Sequence, residues 1–200
     1  MPNNDLLVKA LFFDAFGPHS RPNCLQIVRP CVSEYESESV CKLLADRCST
    51  DLSVEDIRNE IEGNLWMLAP EAFLHFLPAF LSISLESYTV VSVFVSELVG
   101  ALTEPSRKDV IESIDRLAKA PAGLGLPHDM AELIRKQQLE WFDSGIPMAV
   151  FHERFDKLTN TEGAAILAFF SALQQAHGAD FPFRELECAV QGYWSRYQAR

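Results

Sequence analysis

One segment limits what this 200-residue chain can fold into more than any other. Residues 65–86 read LWMLAPEAFLHFLPAFLSISLE, an apolar run interrupted by two prolines, a glutamate and a histidine. A membrane-spanning helix needs about 20 predominantly apolar residues with few charges. Here Glu71, His75 and the prolines intervene, and no basic flank marks one side of a bilayer. The run is therefore expected to form a core helix and not a membrane span. Pro70 suits a first turn, where its missing N–H goes unused, and Glu71 complements the helix dipole there. Pro78 removes a hydrogen bond to the carbonyl of Leu74 and crowds it, so the helix is expected to kink or restart.

Helical signals continue on both sides, and no long stretch alternates with period two. Asn4 is placed to cap a first amphipathic helix that Gly17 follows. Ser33 with Glu36, and Thr159 with Glu162, have capping-box spacing. Ser53, followed by Glu55 and Asp56, starts a short helix that Gly63 and Asn64 close. Residues 89–96, TVVSVFVS, are rich in β-branched side chains, so helix and strand both stay open there. Pro105 opens an amphipathic helix carrying Val110, Ile111, Ile114 and Leu117 on one side. Pro127, Pro147 and Pro182 precede three further helical stretches, and Cys188 in the last of them is expected to be a buried thiol. The expected fold is all-α: a single compact globular domain over residues 1–200, of seven to nine helices. The loop at 120–127 is the one possible seam.

Charge narrows the function. Seventeen Lys and Arg against 28 Asp and Glu leave a formal charge of −11. Such a field repels phosphate backbones, so no nucleic-acid partner is expected. It favours a basic protein partner and speeds the encounter. The N-terminal stretch has neither a signal-peptide nor a transit-peptide pattern, which points to a cytoplasmic protein with reduced thiols. Cys24, Cys31, Cys41 and Cys48 fall at intervals of seven, ten and seven, unlike zinc-ligand spacing. No metal and no cofactor is expected.

Candidate chemistry concentrates in the opening segment. Glu71, His75, Ala79, Ser82 and Glu86 follow one stripe at three- and four-residue steps. A carboxylate one turn before an imidazole can orient it and raise its pKa, as acid–base sites require. The plainer expectation is the solvated stripe of an amphipathic helix with an ordinary Glu–His pair. Asp180, in the loop before the last helix, is expected to cap that helix. Glu71, His75, Glu86 and Asp180 are thus the candidates for partner binding, and Glu71 with His75 the candidates for catalysis. No phosphate-binding loop, dinucleotide fingerprint, nucleophile elbow or zinc-protease motif is present.

The block WMLAPEAFLHFLPAFL resembles the most recognisable segment of an uncharacterised family of small bacterial helical proteins. That family shares a Pro-Glu-Ala-Phe start and a following Leu-Pro-Ala-aromatic. LFFDAFG, EYESESV and LTNTEGAAILAFFSAL extend the likeness over most of the chain. Ser49 and Thr50 stand where a tryptophan would be expected. The resemblance implies a bacterial, cytosolic, helical protein and supplies no activity.

The functional expectation is a non-enzymatic acidic protein that binds a basic partner, most concretely an immunity protein neutralising a toxin. The alternatives are a hydrolase or metal-dependent enzyme using Glu71 and His75, and a small-ligand module at the Pro78 kink.

Overall fold

The structure is a computed structural model, and it describes residues 3–23, 26–118 and 128–198. The expected seam at 120–127 lies outside the described residues. The protein is all-α. Ten α-helices occur among the described residues: α1 (Asn3–Phe16), α2 (Glu34–Asp46), α3 (Val54–Asp56), α4 (Pro70–Glu86), α5 (Ser92–Ala101), α6 (Arg107–Ala118), α7 (His128–Asp143), α8 (Ile146–Phe155), α9 (Asn160–His177) and α10 (Glu185–Gly192). None is long and apolar enough to cross a membrane.

The helices group into two compact units. One joins Met1–Thr103 to Lys157–Arg200, and the other is Glu104–Asp156. In the first, α4 packs against α1, α5 and α9, and α10 packs against α5 and α9. Its core is aromatic: Phe12, Phe16, Phe73, Phe76, Phe80, Phe94, Phe169, Phe170 and Trp194 are essentially removed from water. Edge-to-face pairs link α1 to the distant α9 through Phe12–Phe169, and α4 to the next helix α5 through Phe80–Phe94. The buried Trp194 indole N–H donates to the Leu102 carbonyl at 2.6 Å, tying the C-terminal 3-10 turn to the end of α5. The second unit packs α6 on α7 and α7 on α8. Arg107–Asp143 and Arg135–Asp115 ion pairs span α6 and α7.

The capping signals translate into structure. Ser33 accepts the Glu36 N–H, and Thr159 and Glu162 form a reciprocal box. Ser53 pairs reciprocally with Asp56, after which α3 widens into a π turn at Ile57–Ile61. Residues 92–96 are helical, which settles the helix-or-strand question for that part of 89–96.

Several expectations are corrected. Pro78 does not restart α4, which runs unbroken for 17 residues because Ala72 to Ser84 all bury against neighbours except His75. Packing of that face holds the helix together across one missing hydrogen bond. Asn4 lies inside α1 and is not its cap. Ser106, not Pro105, precedes α6: its hydroxyl accepts the Asp109 N–H and donates to the Asp109 carboxylate. Asp180 does not cap α10, because Arg184 holds the N-cap position and Asp180 belongs to a preceding 3-10 turn. Cys188 is exposed, since its neighbours Leu186 and Ala189 take the inward face of α10.

Candidate functional site

The four candidate residues go to three different places. Glu71 is exposed at the start of α4 and makes no bond to His75. Glu86 lies at the other end of α4, about 16 Å along the axis from His75 at 1.5 Å per residue. It pairs there with Lys9 of α1, Nζ to Oε1 at 3.1 Å. Asp180 follows the C-terminus of α9, beside His177 and Tyr88. The stripe is not a wet one either, because Ala79 and Ser82 between Glu71 and Glu86 are buried.

His75 is the candidate around which the structure builds something. Its Nδ1 lies 3.0 Å from the backbone carbonyl of His19, in the loop after α1. A carbonyl only accepts, so Nδ1 carries the proton, and Nε2 of the neutral ring presents a lone pair. That Nε2 is buried and has no hydrogen-bond partner among the described residues. The Phe76 ring stands edge-on to the imidazole at 4.8 Å. A backbone carbonyl fixing one ring nitrogen is how proteins orient histidines for proton transfer or ligation through the other.

The adjoining residues form a histidine–carboxylate pair that no local spacing reveals. His19 Nε2 bonds to the buried Glu162 carboxylate, 143 positions away, and the His19 ring stacks on Phe16. Glu162 also receives the Thr159 backbone N–H at 2.6 Å and the Thr159 hydroxyl at 2.7 Å. Burial alone would raise this carboxyl above its ordinary value. The Thr159 hydroxyl and N–H, followed by His19, outweigh burial and hold it below that value. The signals available in sequence were the capping box at Thr159–Glu162 and a histidine after Gly17–Pro18, and neither names the other. Together His19, His75, Thr159 and Glu162 form one polar centre where the α1 exit loop, α4 and the first turn of α9 meet.

A second carboxylate arrangement braces α5. Glu62 accepts the Phe94 N–H at 3.1 Å, supplying a cap that the helix lacks at Val91. In return Glu97 of α5 accepts the N–H groups of Gly63 at 2.9 Å and Leu65 at 3.2 Å. Burial raises the Glu97 carboxyl, and the two backbone donors offset only part of that. Among the described residues no group of three His, Cys, Asp or Glu side chains is arranged to hold a metal ion.

Fold and site define an acidic all-α protein whose inward polar centre is built on two histidines and a capping glutamate. No family model, no curated protein and no solved structure matches the chain.

Proposed function

We propose that the protein is a non-enzymatic, cytoplasmic interaction protein that binds a basic protein partner, most concretely as the immunity protein of a toxin. The observation that carries the reading is a surplus of carboxylates left after internal pairing. At least seven Lys and Arg side chains are engaged with Asp or Glu within the chain: Lys9, Arg47, Arg107, Lys108, Arg135, Lys136 and Arg184. The outward field of a chain at −11 is then dominated by unpaired acids. Tyr35 adds an aromatic anchor to it, 91% exposed in the first turn of α2 beside Glu36 and Glu38. Acidic steering with a few aromatic anchors suits tight capture of a basic surface. The reading includes membership of the bacterial family that the Pro-Glu-Ala-Phe block resembles.

Co-expression with the toxin encoded beside its gene tests this. Protection of the host cells, and a complex whose affinity falls steeply with salt, are the expected results. Normal killing and no complex at low salt would reject the reading.

A second reading rests on His75. An orphaned, tautomer-fixed Nε2 suits a base or an acceptor for a small donor ligand, with Glu71 one turn away at the surface. His75→Gln would abolish such an activity while leaving toxin protection intact.

A further inference from the structure

The connector between α9 and α10 is the one place among the described residues where a side chain other than glycine takes a left-handed backbone. Arg184 has φ 63°. That conformation costs of order 1 kcal/mol outside glycine and concentrates at working sites. Here it closes a turn: the Arg184 N–H reaches the Phe181 carbonyl at 3.3 Å, with Pro182 in the position that proline favours. Phe181 is buried by the turn, whereas Phe183 is pushed out, 55% exposed. The Phe183 N–H donates to Glu185 at 3.0 Å and fixes that outward course.

A flat aromatic surface is tied to the same connector through Asp180. The Tyr88 ring lies parallel on the His177 ring, 3.6 Å between centroids and 9° between planes. The Tyr88 hydroxyl donates to Asp180, and burial together with that carboxylate raises the phenol. Asp180 also lies 3.7 Å from His177 Nδ1, yet its side chain is 56% exposed. Phe183 lies three positions after Asp180, a reach of about 10 Å at most. Val90 and Val93, in the turn that carries Tyr88 and at the start of α5, are exposed too.

We propose that this face, Phe183 with the Tyr88–His177 plate and Asp180, is where an arginine-bearing segment of the basic partner docks. The proposal rests on the interaction-protein reading and deepens it. Charge complementarity chooses the occupant: Asp180, Glu185 and Glu187 against Arg184 leave the connector and the first turn of α10 acidic on an already acidic protein. A guanidinium stacks on aromatic faces and bonds a carboxylate in the same plane, which a lysine ammonium does less well. Phe183 supplies the apolar anchor that such interfaces concentrate their energy in. Arg184 is a positioning residue, because its backbone sets where the Phe183 ring points.

The test uses the whole protein and a synthetic arginine–leucine peptide, with a lysine–leucine peptide of equal charge as comparison. Titration followed by NMR is expected to shift Tyr88, His177, Asp180 and Phe183 signals, and the arginine peptide is expected to bind more tightly. Phe183→Ala and Asp180→Asn should each weaken binding by about tenfold. Trp66→Ala, which removes an exposed ring outside this face, should leave it within about twofold. Arg184→Gly keeps the left-handed turn and should retain affinity, whereas Arg184→Val, which resists that conformation, should lose it. Shifts confined to α2 around Tyr35, with Phe183→Ala binding like the wild type, would overturn this face and leave the acidic-interaction reading standing. Absence of binding by either peptide at low salt would count against both.

Discussion

At the scale of single residues, two glutamates of this protein respond to acid in opposite directions. Glu162 has its carboxyl held below the ordinary value, so its contribution to stability is present above the unfolded-chain value of about 4.5 and lost as pH falls through the lower folded one. Glu97 has its carboxyl raised, so its contribution is fully present below about 4.5 and lost as pH rises through the higher folded value. Urea unfolding from pH 7 to pH 3 should therefore show a steeper acid loss in Glu97→Gln than in the wild type, and a shallower one in Glu162→Gln. Equal slopes for the two variants would contradict the assignment. His19→Ala should cost about 1–3 kcal/mol at neutral pH, because it strips a partner from a buried carboxylate. Of the polar centre, the capping spacing at Thr159 and Glu162 was readable in the sequence. The His19 link was not, because nothing local encodes a contact between residues 143 apart. Glu71 and His75 were the pair that spacing suggested, yet His75 takes the His19 carbonyl instead.

At the scale of elements, close approaches replace ordinary propensity. Gly163 in the first turn of α9 has the Tyr197 ring so near that an added Cβ would sit 2.3 Å from the ring carbons. Those are the inner atoms of the ring and cannot swing aside without moving the 3-10 turn. Gly163→Ala should destabilise by about 1–3 kcal/mol through overpacking, despite alanine being the better helix former. Trp194→Phe should cost a similar amount, about 1–3 kcal/mol, by orphaning the Leu102 carbonyl that closes α5. Thermal melts of both variants check this, and a Trp194→Phe protein as stable as the wild type would show the indole bond to be idle. Caps and apolar periodicity made most helix positions legible, α9 above all. Of the two outcomes expected at Pro78, a restart does not occur, because a proline penalty is local whereas the burial holding α4 together comes from α1, α5 and α9. Cys188 misled because one helix turn of register decides between core and water, and α10 has only eight residues in which to show it.

At the scale of the whole molecule, the surface chemistry is open to direct titration. Cys31, Cys48 and Cys188 are exposed and form no disulfide. All three should react with a thiol reagent in the native protein, and Cys41, half-buried in α2, should lag behind them. A native protein in which Cys188 reacts only after unfolding would restore the buried-thiol expectation.

The first compact unit is written in two pieces of chain, with residues 104–156 between them. Its α1 and α4 can bury their aromatic faces only once α9 exists, as the Phe12–Phe169 contact shows. A ribosome adds about 5–20 residues per second. The first half of the chain therefore spends on the order of 5–20 s in a cell without the helix that covers it. During that interval the intervening segment, though later in sequence, has all its own residues before the earlier unit does. The first unit therefore stays unclosed until its last helices emerge, and that interval is when its uncovered aromatic faces favour aggregation and chaperone capture.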